Sequence, residues 1–129
     1  VATLVEIEIG GDQKLRVLRA VCAVDCGRIV NPEIVRQQIE GGIVHGISAA
    51  TGSAIAYADG LPNIRTIGDY DLPILRNSPD VTVELIESGD EPGGVTELAV
   101  PTAAPAVANA LFALTGQRLR TLPLVIGSR

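Results

Sequence analysis

Leu4 to Ile9 (LVEIEI) alternates apolar and acidic residues, and Gly10-Gly11-Asp12 interrupts the alternation with turn formers. Leu15 to Val24 follows as a second, β-branched apolar run, so the two runs predict a hairpin. Asn31-Pro32-Glu33 then combines a capping side chain, Pro at the first helical position and an acid in the first turn. A helix is predicted from there to about Ala50, with Gly52 as its stop and Val35, Ile39, Ile43 and Ile47 as an apolar face at every fourth residue. Gly41, Gly42 and Gly46 lie inside it, each at a cost on the order of 1 kcal/mol relative to Ala. Something must come close to that helix: either a packed neighbour or a ligand against the backbone, and spacing alone does not choose between them.

Further along, Ser53 to Tyr57 reads as a strand, Asp59 to Asn63 as a turn, Ile64 to Ser78 as irregular chain and Val81 to Ile86 (VTVELI) as a half-buried strand. A loop from Ser88 to Pro101, with Gly89, Pro92, Gly93 and Gly94, leads through Pro105 into a helix over about Ala106 to Thr115, which Gly116 ends. Leu122 to Ile126 reads as a last short strand. There is no internal repeat. Strands in runs, with two helices, give an α+β fold: a mixed β-sheet with two main helices packed on one side.

Composition fits a single domain over residues 1–129, with 47% apolar and 19% charged residues, and excludes a disordered chain. The longest uncharged stretch, Leu98 to Gln117, is broken by Pro101, Pro105 and Asn109, so no membrane span is predicted. No Met occurs even at position 1, which predicts a chain processed from, or cut out of, something longer. Phe112, Tyr57 and Tyr70 are the only aromatic residues, leaving Val, Ile, Leu and Ala to fill the core. Cys22 and Cys26 are separated by about 13 Å of extended chain, too far for a mutual disulfide. With His45 the sole histidine, they predict buried thiols and no metal site.

A net charge of −5 argues against a nucleic-acid partner. The charge is concentrated: Asp80, Glu84, Glu87, Asp90, Glu91 and Glu97 have no Lys or Arg between them, so the rest of the chain is net +1. A solvated edge strand and loop accounts for five of these acids. Glu97 differs, because it follows a glycine-rich loop and precedes 20 uncharged residues. Carried into apolar surroundings, it would have a raised pKa and serve as a general base. His45 reads as a packing or surface residue, and Asp69-Tyr70-Asp71-Leu72-Pro73, two acids around a Tyr, as a plain turn with a substrate-facing stretch as the alternative.

Two segments together resemble one known family. Asp25-Cys26-Gly27-Arg28-Ile29-Val30-Asn31-Pro32, followed by Gln38-Ile39-Glu40-Gly41-Gly42 and Gly46, is similar to the G-x-x-x-N-P…Q-x-E-G stretch of the molybdenum hydroxylase (xanthine oxidase and aldehyde oxidase) large subunit. Gly94-Val95-Thr96-Glu97, with Pro105-Ala106-Val107-Ala108-Asn109-Ala110 beyond it, resembles that family's catalytic-glutamate loop and following helix. The ending Ala113 to Pro123 resembles the isoquinoline 1-oxidoreductase branch of the family, in its beta chain.

The resemblance implies a molybdopterin cofactor, the cytosine dinucleotide form being one candidate, with Gln38 hydrogen-bonding it and Gly41 and Gly42 admitting it to the backbone. It makes Glu97 the general base in hydroxylation of an N-heterocycle or aldehyde with water-derived oxygen. It further implies two partners: a small [2Fe-2S] subunit whose iron–sulfur clusters carry the electrons away, and the rest of a large subunit. Thr96 and Leu98 depart from the family's Gly-Glu-Pro, which predicts either a less firmly held loop or a Glu97 aimed differently. This chain matches only the C-terminal part of the large subunit, so alone it should bind cofactor weakly, show no turnover and tend to self-associate. A non-catalytic assembly piece and a small binding domain are the alternatives.

Overall fold

The alternating run forms β1 (Ala2–Ile9), which pairs antiparallel with β2 (Leu15–Asp25) around the predicted turn. The structure, a computed structural model, describes residues 1–52, 54–70 and 72–126. The register shifts after Glu6: Glu6 faces Arg19 while Ile7 faces Val17, which leaves Leu18 as an extra residue on β2. Such a bulge resets the two-residue alternation. Val17 and Ala20 can therefore both point into the core, and the second apolar run loses the clean period of the first.

Asn31 caps α1 (Pro32–Thr51), its side chain accepting from the Ile34 N–H at 3.2 Å. This helix carries the chain across toward a third strand of the main sheet, which lies parallel to β2. Parallel neighbours need such a crossover. Two short strands come first, β3 (Tyr57–Ala58) and β4 (Leu61–Pro62), paired with each other. The third strand of the main sheet is β5 (Asp80–Ile86), and the order is β1-β2-β5, mixed as expected. Arg36 reaches from α1 to the Val83 carbonyl of β5 and lies 3.9 Å from Glu33.

Helix α2 (Val100–Thr115) begins six residues before the expected start at Ala106. Pro105 does not open it; Pro101 occupies the first turn, where a missing N–H costs nothing, and Pro105 lies inside the helix. Gly116 ends it at φ 74°, the left-handed conformation that glycine adopts without penalty. Ala103, Val107 and Leu111 form its buried stripe.

Both helices lie on one face of the sheet, where Val5, Ala20, Cys22, Val24 and Val83 meet Ile39, Ile43 and Val107. No aromatic residue belongs to this core.

Two expected strands are replaced by other structure. Of Ser53 to Tyr57, Ser53 lies outside the described residues, and only Tyr57 is in a strand, at the start of the two-residue β3. The irregular stretch contains 3₁₀ turns at Ile67–Asp69 and Leu75–Asn77. Leu122 to Ile126 forms no strand: Leu124 is buried and its N–H donates to the Ala50 carbonyl at 2.7 Å, so the segment is tied to the end of α1 rather than to the sheet. Cys22 and Cys26 are free and buried, as expected.

Candidate functional site

The two motifs, far apart in sequence, meet in space. After β2 the chain turns at Gly27 (φ 75°), and the turn grips the loop that carries Glu97. The Arg28 N–H donates to the Asp90 carbonyl at 3.0 Å, and the Gly93 N–H to the Cys26 carbonyl at 2.7 Å. A Cβ at Gly27 would stand 2.1 Å from the Glu91 carbonyl oxygen, so only glycine allows this approach. Asp25 closes the clasp, accepting from the Ser88 hydroxyl at 2.7 Å and from the Gly27 N–H at 3.1 Å.

Those two donors, Ser88 before Gly27, hold the Asp25 carboxyl below its ordinary value of 3.8. A lowered folded value means that the clasp stabilises above the unfolded value and that this contribution is lost as pH falls through the lowered one. The stability difference between the parent chain and Asp25→Asn should therefore shrink toward zero on acidification below the ordinary Asp value, as urea unfolding at stepped pH would record.

The far end of the loop is held differently. Val95 and Leu98 pack against the core, Ala99 is buried, and the Val100 N–H donates to the Glu97 carbonyl at 3.2 Å. Half-buried Leu98 thus holds this end of the loop by packing on the core.

Between this end and α1 lies a groove of about 300 Å³. Gln38, Gly41 and Gly42 line one side, Thr96 and Glu97 the other. All four residues to which the sequence points, Glu97, Gln38, Gly41 and Gly42, therefore border the same space. Glu97 does not sit in apolar surroundings, however: it is exposed at the groove, because nothing among the described residues covers the outer side.

The glycines of α1 divide between close packing and open backbone. Cβ atoms at Gly46 and Gly42 would approach α2, 2.5 Å from the Val100 carbonyl oxygen and 3.2 Å from the Ala99 Cβ, respectively. Tight helix packing accounts for these two. Gly41 is exposed, and no atom lies within 4 Å of where its Cβ would be, so packing does not require it.

Gln37 and His45 also line the groove, and the sequence motifs point to neither. His45 lies four residues after Gly41 and seven after Gln38, on one helical face, a spacing that could have revealed it. Asp69 belongs to a 3₁₀ turn; backbone N–H groups of Thr66 and Arg65 hold its carboxyl below the ordinary value. Asp71 lies outside the described residues.

A larger cavity of about 550 Å³ opens beside β2, the last turns of α1 and residues 72–79, with Lys14, Arg16 and Arg76 in its wall. It holds none of the predicted site residues. No group of three or more potential metal ligands occurs among the described residues. No helix among them is long and apolar enough to cross a membrane.

Comparison with known proteins identifies the family. A molybdopterin cofactor-binding domain family matches residues 1–79. The beta chain of isoquinoline 1-oxidoreductase from Brevundimonas diminuta is 40% identical over 115 residues, covering 88% of this chain and 14% of that protein. The molybdenum-binding subunit of an aldehyde oxidoreductase from Escherichia coli K12 is 30% identical over 133 residues, covering 93% of this chain and 18% of that protein. Quinoline 2-oxidoreductase from Pseudomonas putida 86 superposes with a TM-score of 0.84 at 28% identity, over 94% of this chain and 17% of that one. The chain thus spans a small part of each relative's length, and it belongs to the molybdopterin cofactor-binding domain family of the molybdenum hydroxylases.

Proposed function

We propose that the chain forms one wall of the cofactor and substrate cleft of a molybdenum-dependent oxidoreductase that hydroxylates N-heterocycles or aldehydes with water-derived oxygen. The observation that supports this reading is the single groove bordered by Gln38 and Gly41 of α1 and by Glu97 of the loop before α2.

The residues present fit a molybdopterin. The exposed amide of Gln38 offers both a donor and an acceptor to a heterocycle with alternating polar atoms. Gly41 leaves bare backbone facing open space, where any side chain would stand between ligand and helix. When bound, the cofactor supplies a two-electron oxidant for the substrate carbon.

Glu97 acts as the general base, taking the proton from the oxygen nucleophile as it attacks an electron-poor carbon. The C–H bond of that carbon breaks as the C–O bond forms, its electron pair leaves as hydride to the two-electron oxidant, and iron–sulfur clusters of a small [2Fe-2S] subunit carry those two electrons away. Polypeptide beyond these 129 residues, the rest of the large subunit, supplies the remaining walls. It also covers exposed apolar side chains such as Val30, Leu61 and Leu75, which otherwise favour self-association.

Gln38→Ala and Gly41→Leu in the assembled oxidoreductase test the reading. Loss of one hydrogen bond to a shielded ligand costs about 1–3 kcal/mol, or roughly 5- to 150-fold in affinity. Both variants should therefore lose molybdenum and releasable pterin while the protein still folds; full retention of both would sink the assignment. The isolated 129-residue chain, with its groove open on one side, should bind cofactor weakly and show no turnover. Stoichiometric molybdenum in the purified chain would contradict that.

A further inference from the structure

Helix α2 starts without a capping side chain, because its cap residue is Ala99, and its first turn contains no acid. Its placement depends instead on tertiary contacts, one of which is a line of polar groups across three elements. The Thr102 hydroxyl donates to the Ala99 carbonyl oxygen at 2.7 Å. Its oxygen lies 2.7 Å from the Thr3 oxygen of β1, which in turn lies 3.4 Å from the Cys22 sulfur of β2.

Each of these side chains has one proton to give, and one arrangement satisfies all three contacts. A carbonyl can only accept, so the Thr102 proton goes to Ala99. The Thr102 oxygen then accepts from the Thr3 hydroxyl, and the Thr3 oxygen accepts from the Cys22 thiol. Cys22 and Ala99, at the two ends, are 0% and 1% exposed. Breaking the link at Cys22 leaves its thiol with neither a partner nor water, whereas the Ala99 carbonyl still accepts from the Thr102 N–H at 3.2 Å, so at that end the hydroxyl adds direction rather than sole satisfaction.

The line ends on the peptide unit that fixes Glu97. Ala99 follows Glu97 by two residues, and the next N–H, that of Val100, donates to the Glu97 carbonyl. On its other side Ala99 is wedged against α1, since a Cβ at Gly42 would lie 3.2 Å from the Ala99 Cβ.

We propose that Thr3 and Thr102 are positioning residues, whose hydroxyl line from Cys22 fixes the first turn of α2 and so aims the Glu97 carboxylate into the groove. This rests on the reading of Glu97 as the base. Neither threonine lines the groove, so their effect on turnover runs through the loop.

The test uses Thr102→Val, which keeps the shape and removes the hydroxyl, beside Thr102→Ser, which keeps the hydroxyl, both in the assembled oxidoreductase. A displacement of about 1 Å in a reacting group can cost up to ~100-fold in rate. Thr102→Val should lower kcat about tenfold or more, with KM within about twofold and molybdenum content unchanged, while Thr102→Ser restores kcat. Thr3→Val should reproduce the loss, and the double Val variant should be little worse than either single one, because both break the same line.

Unchanged kcat in Thr102→Val overturns the proposal. So does a kcat loss shared equally by Val and Ser, or one that only tracks lost molybdenum, since either marks a general structural role. Failure of the base reading is seen separately, as turnover within about tenfold of the parent in Glu97→Gln. In that event amide hydrogen exchange at Val100 reads the link by itself: faster exchange in Thr102→Val supports the line, and an unchanged rate overturns it.

Discussion

Glu97→Gln in the assembled oxidoreductase should reduce turnover by about 10²- to 10⁴-fold, the span that a positioned general base contributes. Gln matches Glu in size and keeps an acceptor oxygen, but it cannot take up the proton released when oxygen attacks the substrate carbon. The side chain is exposed at the groove, so the substitution should leave the fold intact. Molybdenum content, measured on the same preparation, should equal that of the parent. The split between full cofactor loading and lost turnover is what identifies a base. Turnover within about tenfold of the parent would remove Glu97 from that role.

Alanine at two glycines of one helix, Gly41 and Gly46, should have effects of opposite sign. At Gly46 a new Cβ would lie 2.5 Å from the Val100 carbonyl oxygen and 2.7 Å from the Ala103 Cβ. The first of these is backbone and cannot rotate away, so the helices must separate, at a cost of about 1–3 kcal/mol or more. At Gly41 a Cβ meets nothing within 4 Å. There alanine should stabilise α1 by up to about 1 kcal/mol through helix propensity. Denaturant unfolding of the two variants beside the parent checks both signs, and destabilisation at both positions would mean that Gly41 is also a packing residue.

The hairpin, the capped helix α1 and strand β5 are legible in the sequence because each carries a local signal: alternation, Asn31-Pro32 or a short apolar run. The start of α2 is not, since Pro105 looks like a helix opening when Pro101 is read as loop. Leu122 to Ile126 looks like a strand, yet a hydrogen bond from Leu124 to α1 decides its conformation, a contact no local pattern contains. Within the groove, the motifs point to Gln38 and Glu97, whereas His45 alone on a helix reads as packing or surface. The exposure of Glu97 is hidden by its 20 uncharged successors, because most of these fold into a helix whose apolar stripe faces away into the core.

The order β1-β2-β5 leaves β1 and β5 each with one strand neighbour among the described residues. Apart from the Val83 carbonyl, which Arg36 of α1 already occupies, backbone groups along the free side of β5 form a template that another extended segment can join. Asp80 and Glu84 stand on that strand with exposed side chains, and Glu87 follows it. Two copies meeting edge to edge there would bring like charges together. Like charge along this edge therefore disfavours pairing of two β5 strands, a repulsion that a neutral or basic strand would not meet.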